Sequence, residues 1–341
     1  MKADLKRVGI LGTTSWGTTL AIVFARKGLP VSLLARSKEE SDRLNFDREN
    51  KKLLPGFHFP QQLTVTNDAH EALSTSDFTV IAVPSNTFRF NLQEIRAHLN
   101  PNTVIISATK GLESDSGLRM SEVIEQELNP ALNSNVCVLS GPNLSTEIAK
   151  GVPALTVVAS NDSDLAITVQ LTLMTHNFRI YTNADMIGVE LAGSLKNIVA
   201  IGAGICDGLG YGNNTKAAFV TRALAEITRL GIQAGADPMT FSGLAGFGDL
   251  MATSTSSLSR NRYLGEELGK GKTVKEIRNS MHNVTEGVES TSAALILAKK
   301  YNVEMPITKT VHRILFEGLD PSNAAKELLD RTPQPELNNS N

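Results

Sequence analysis

Cysteine is scarce in this chain: of 341 residues only Cys137 and Cys206 are cysteines, with no C-x-x-C and no framework of closely spaced pairs. That excludes a disulfide-stapled secreted scaffold, and both thiols are expected to be buried and free in a reducing compartment. An excess of one charge is missing too. The 33 Lys and Arg against 35 Asp and Glu leave a formal net charge of −2, too weak a field to draw nucleic acid or an anionic membrane surface, so the expected partner is a small molecule. No uninterrupted apolar run reaches 18 residues, and the opening "MKADLKRVGILG" carries only a short one. Neither a membrane span nor a secretory leader is expected, which points to a soluble, cytoplasmic protein. The six histidines show no H-x-H, H-x-x-x-H or H-E-x-x-H spacing and no cysteine pair joins them, so no metal site is expected. A G-x-S-x-G nucleophile elbow is also absent.

What is present is enough apolar material, 41% of the residues, for two cores, and the length exceeds what one compact core usually serves. Up to about residue 185 the chain is punctuated by eight short β-branched runs: "RVGIL", "PVSLLA", "QLTVT", "FTVIAVP", "TVIISAT", "NVCVLSGP", "ALTVVAS" and "FRIYT". Runs of that kind mark strands buried on both faces of a largely parallel sheet. Helical patterns lie between several of them, at 17–28 and 117–128, each closed by Gly or Pro. Beyond "GVELAGSLKNIVAIGAGI" the strand signal fades, and helical spacing recurs through 216–234, 263–269, 287–300 and 307–328, with "ATSTSSLS" (252–259) read as a polar loop. The expected architecture is α/β: a Rossmann-like dinucleotide-binding domain over 1–187, an all-α domain over 188–330 for substrate and catalysis, and a disordered tail at 331–341.

The first of these runs leads into "GILGTTSWGTT". Gly12 follows a strand and Gly17 opens a helix, an arrangement that makes an anion site from free N–H groups and the helix dipole. Thr14 stands where a G-x-G-x-x-G fingerprint has its middle glycine, and Thr18 where a P-loop has its lysine. The loop alone therefore admits a dinucleotide, less readily a nucleoside triphosphate, or an ordinary strand-to-helix turn. After the second strand the chain reads Ala35, Arg36, with no acidic residue at that end. An arginine there suits a 2′-phosphate, so NADP is admitted and slightly favoured over NAD; a solvated surface arginine is the plainer alternative.

Lys196 interrupts an otherwise apolar helical run, with Ala192, Gly193, Val199 and Ala200 on its flanking turns. Poor solvation would lower its pKa into the range useful for proton transfer, whereas a lysine snorkelling from a domain junction would stay ordinary. Asn197 follows at once, and the glycine-rich "GAGICDGLGYGNN" downstream permits close backbone approach. Lys110 in "SATKGLE" lies just past a strand's carboxyl end, where α/β sheets bind ligands. "LSGPNLSTE" repeats the pattern of strand, glycine and helix start, and "SRNR" (259–262) offers an arginine fork for a phosphate.

Taken together, "GTTSWGTTLA", "ATKGLE", "SGPNLSTEIAKGVP", "GVELAGSLKNIVAIGAGICDGLGYGNNTKAA", "GLAGFGDLMATSTSSLSRNR" and "TEGVEST" resemble, in order and spacing, the bacterial-type NAD(P)-dependent glycerol-3-phosphate dehydrogenases over about residues 6–325. The resemblance implies reversible hydride transfer between NAD(P)H and dihydroxyacetone phosphate, supplying sn-glycerol 3-phosphate for phospholipid synthesis, in a homodimer. It implies Lys196 as catalytic proton donor and acceptor, with Lys110 and Asp249 beside the substrate. It further implies that Gly141, Asn143, Ser259, Arg260 and Asn261 hold substrate, and that Ser15, Trp16, Arg36, Lys110, Ser145, Arg260, Val284 and Glu286 meet the dinucleotide, to which the reading of the glycine loop adds Gly12 and Gly17. Two departures stand out: Thr14 for the family's usual glycine, expected to crowd the pyrophosphate, and Asn143 where Ser or Thr is common. The alternatives are a 3-hydroxy acid or 6-phosphogluconate type dehydrogenase, or a non-catalytic dinucleotide sensor.

Overall fold

The computed structural model describes residues 6–133, 135–280, 286–332 and 335–336. All eight apolar runs are strands: β1 (Val8–Leu11), β2 (Val31–Leu34), β3 (Leu63–Thr66), β4 (Phe78–Ile81), β5 (Val104–Ser107), β6 (Val136–Ser140), β7 (Ala154–Ala159) and β8 (Phe178–Asn183). They form one sheet in the order β3-β2-β1-β4-β5-β6-β7-β8. The ladder is parallel from β3 to β6; β7 runs antiparallel to β6, and β8 parallel to β7. Alternate strand residues join different clusters, Cys137 and Leu139 one, Val138 the other, so apolar layers cover both faces as continuous β-branched runs require. Strand order reverses between β1 and β4, and ligands of open α/β sheets sit at such a switch, outside the carboxyl ends. The glycine loop and helix α1 (Ser15–Arg26) begin there.

A third core lies among the helices of the second half, around Met186–Gly208. This helix is long and apolar enough to cross a membrane, yet its apolar window is wholly buried inside the protein. Asn213–Gln233, Asp249–Thr255, Arg260–Gly269 and Glu286–Lys300 pack around it. Of the glycines downstream of Lys196, Gly204 and Gly208 serve that packing. A Cβ on Gly204 would stand 2.0 Å from the Arg262 carbonyl oxygen, and one on Gly265 1.9 Å from that of Ile201, so the close backbone approach is to a neighbouring helix and not to a ligand. Two expectations change in detail: residues 252–255 of the expected polar loop are helical, and 307–328 divides into Pro306–Phe316 and Pro321–Leu329. Both free cysteines are buried, as expected.

Candidate active site

At the switch point the chain turns tightly enough to need glycine. Gly12 has φ +112°, and a Cβ there would meet the Ala82 carbonyl oxygen at 2.7 Å; a Cβ on Gly17 would meet the Gly12 carbonyl oxygen at 2.0 Å. Thr14 is the N-cap of α1: its hydroxyl accepts from the Gly17 N–H at 3.0 Å and donates to the Ala82 carbonyl at 2.8 Å. The Thr14 hydroxyl is thus spent inward, on the loop and the end of β4. Asn50 fixes the loop from behind, donating to the Thr13 carbonyl and the Thr18 hydroxyl at 2.9 Å each. Ser15 and Trp16 form the first turn of α1, where backbone N–H groups lack helical partners. The buried Trp16 indole N–H has no hydrogen-bond partner among the described residues, and its ring meets Phe178 edge-on. A cradle closed to any Cβ, first-turn N–H groups and an orphaned indole donor fit a dinucleotide pyrophosphate. Arg36 is exposed just past β2.

The second group of residues forms a charge cluster taken out of water. Lys196 rides on Met186–Gly208; Asp249 and Thr253, four apart, share one face of Asp249–Thr255. Lys196 Nζ donates to Asp249 Oδ1 at 2.7 Å and to Thr253 Oγ1 at 2.5 Å. Lys110 Nζ, reaching in from beyond β5, donates to Asp249 Oδ2 at 2.7 Å and to the Gly141 carbonyl at 2.7 Å. One carboxylate therefore bridges two ammonium groups, the Asp249 side chain being 1% exposed and those of Lys196 and Lys110 8% and 13%. Desolvation pulls the Lys196 pKa down to about 8; Asp249 opposes this and Lys110 adds to it. Two of the three Lys196 N–H bonds are committed among the described residues, so one remains for an incoming oxygen.

The frame of the cluster is itself hydrogen-bonded. Ser194, two residues before Lys196, accepts from the Gly111 N–H at 2.9 Å and so ties the Lys110 turn to the long helix. Buried Glu190 accepts from the Ser121 N–H, the Ser121 hydroxyl and Arg119, anchoring that helix at its start. Beyond the lysines, Asn261 donates to Asn197 Oδ1 at 3.1 Å and accepts from the Gly287 N–H, while Asn197 donates to Glu286 at 3.4 Å. Half-exposed Arg260 lies 3.8 Å from Glu286. Its neighbour Arg262 is committed to Asp207, which leaves Arg260 as the outward member of the "SRNR" fork. Ser259 caps the Arg260–Gly269 helix. Asn143 donates to Thr156 Oγ1 at 3.0 Å, and its buried Oδ1 has no partner among the described residues. Ser145 begins Ser145–Lys150.

Lys110, Gly141, Lys196 and Asp249 are thus in direct contact, and Arg260, Asn261 and Glu286 are linked to one another through Asn197 and Gly287. Ser15 and Trp16 stand apart from them at the start of α1 and Arg36 beyond β2, and Val284 lies outside the described residues. Thr253, Ser194 and Glu190 were not anticipated. The spacing of Asp249 and Thr253 carries the signal for the first, and reading 252–259 as loop conceals it.

Comparison with known proteins bears on this combination of sheet and buried lysines. Family models described as the NAD-dependent glycerol-3-phosphate dehydrogenase N-terminus and C-terminus match residues 7–166 and 185–326. A glycerol-3-phosphate dehydrogenase (NAD(P)+) of Dehalococcoides mccartyi is 47% identical over 98% of this chain and 93% of its own length. One from Chlorobium limicola is 46% identical over 97% and 99%. The crystal structure of glycerol-3-phosphate dehydrogenase from Coxiella burnetii superposes with a TM-score of 0.91 at 40% identity, covering 96% of this chain and 99% of that one. A ketopantoate reductase from Ralstonia eutropha shares only the fold, at 12% identity and a TM-score of 0.60. With both halves matched and relatives aligned almost end to end, the chain belongs to the NAD-dependent glycerol-3-phosphate dehydrogenase family.

Proposed function

We propose that this protein reduces dihydroxyacetone phosphate with NADH or NADPH to sn-glycerol 3-phosphate, reversibly, and so supplies phospholipid synthesis. The observation that carries the reading is the Asp249 carboxylate bridging two lysines out of water. Burying such a charge set costs stability, and desolvated groups with shifted pKa values cluster at catalytic sites, which favours an enzyme over a non-catalytic sensor. When bound, the dinucleotide supplies the hydride. Lys196 directs its remaining N–H at the carbonyl oxygen, stabilises the charge growing there and delivers the proton; in the reverse direction its neutral form takes the proton back. A pKa of about 8 keeps both forms accessible near neutrality. Asp249 orients that ammonium, with Thr253 as the second acceptor. Lys110 adds positive charge on the far side of Asp249.

Gly141, Asn143, Ser259, Arg260 and Asn261 are proposed to hold the substrate, Arg260 and Asn261 chiefly its phosphate, which positions the carbonyl through binding energy remote from the reacting carbon. Gly12, Ser15, Trp16, Gly17, Arg36, Lys110, Ser145, Arg260, Val284 and Glu286 are proposed to contact the dinucleotide. On this reading residues 1–187 form the cofactor domain and 188–330 the substrate domain, in a cytoplasmic homodimer. The test is purified protein with NADH and NADPH across a substrate panel. Cofactor oxidation with dihydroxyacetone phosphate is expected; turnover of a β-keto acid in its place would overturn the reading.

A further inference from the structure

The end of β2 carries a carboxylate that the cofactor assignments leave out. Glu40 sits in the first turn of helix α2 (Lys38–Asp47), behind the N-cap Ser37. Its Oε1 accepts from the Thr13 hydroxyl of the glycine loop at 2.9 Å, and its Oε2 accepts from the Arg36 N–H at 3.0 Å. Serine at the N-cap with glutamate three residues on is a capping-box sequence, in which the carboxylate normally returns to the N-cap's own N–H. Here it reaches one residue further back and, with its other oxygen, across to a loop 27 positions away in sequence. The carboxylate thereby joins the pyrophosphate cradle to the edge of the sheet. It stays one-quarter exposed.

Where an acidic side chain stands at the carboxyl end of β2, it bonds a ribose 2′-hydroxyl; a basic one there accommodates a 2′-phosphate. This chain places Ala35 and Arg36 at the strand end, and Glu40 brings the missing carboxylate to the same corner from the next helix. Exposed Arg36, Lys38 and Glu39 flank it, the last two opposite in sign, and the Arg43 guanidinium lies 3.9 Å from Glu40 on a side chain that is 45% exposed. Water and salt weaken so open and long a pairing, so Arg43 leaves most of the negative charge in place. Resting on the reading of Gly12–Gly17 as a dinucleotide cradle, we infer that Glu40 is a cofactor-specificity residue that disfavours a 2′-phosphate and turns this protein toward NAD. That reverses the lean toward NADP that Arg36 alone supports.

Trp16, the single tryptophan of the chain, lies in the loop and provides a binding signal that needs no turnover. Its fluorescence is titrated with NAD+ and with NADP+ in the wild type and in Glu40→Gln, at low and at high salt. In the variant the Kd for NADP+ is expected to fall about tenfold while that for NAD+ rises a few-fold, because a like charge is removed and an acceptor weakened. The wild-type preference for NAD+ shrinks at high salt. Equal changes for both cofactors, or none, overturn the inference. Binding of neither cofactor to the wild type, checked by calorimetry, overturns the cradle reading itself. Glu40→Leu, uncharged and of similar bulk, gives the same ratio if the glutamine variant folds poorly.

Discussion

The glycine loop at the end of β1 and the lysine cluster behind Asp249 bind by opposite means. In the loop the main chain does the holding: side chains are removed at Gly12 and Gly17 or turned inward at Thr14, so that N–H groups can face a ligand. In the cluster the main chain is only a frame, and three charged side chains are drawn out of water until one lysine titrates near 8. The loop is thus sensitive to added volume and the cluster to lost charge. Substitutions in one region should leave the other's observable nearly untouched.

The largest separation is expected from Lys196→Ala. Removing the group that gives the proton should lower kcat by about 10³-fold, while the Kd for NAD+ read from Trp16 fluorescence stays within about twofold. If affinity falls in parallel with kcat, the two regions are not independent. Asp249→Asn keeps the shape but removes the charge, and kcat should drop by about 10²-fold. Its second signature lies in the pH profile. Asp249 raises the Lys196 pKa against desolvation, so the variant's lysine should titrate below 8. The alkaline limb of kcat/KM for reduction and the acidic limb for oxidation should both move to lower pH. An unmoved profile would take Lys196 out of proton transfer.

The sequence exposed these regions unevenly, for physical reasons. Every strand was visible because burial on both faces demands unbroken apolar runs, and Lys196 was visible because a cation in such a run is conspicuous. Lys110 and Arg36 could be placed at strand ends, but Asp249 became a bridge only through tertiary folding that joins residues 139 and 53 positions apart. Thr253 was hidden by a Ser/Thr-rich stretch with the composition of a loop, four residues of which tertiary packing holds in a helix. Glu40 was hidden for a related reason: its function depends on which of two backbone N–H groups its carboxylate chooses, a matter of one residue in the first turn of α2.

Thr14 is where the comparison predicts the smallest effect, and where pattern and structure disagree most. A fingerprint with its middle glycine replaced implies a backbone held off the phosphate, so that Thr14→Gly would tighten cofactor binding. The threonine hydroxyl, however, closes two bonds of the loop itself, from the Gly17 N–H and to the Ala82 carbonyl. Glycine at this position would lose both and leave the loop more freedom in the unfolded chain. We expect Thr14→Gly to lower stability by about 1 kcal/mol, seen in thermal unfolding, and to weaken NAD+ binding by no more than about threefold. Thr14→Ser, which keeps the hydroxyl, should behave close to wild type. Tenfold tighter binding in the glycine variant would mean that the side chain does obstruct the ligand. The loop would then give up some affinity to hold its own geometry, the reverse of the lysine cluster, which gives up stability for chemistry.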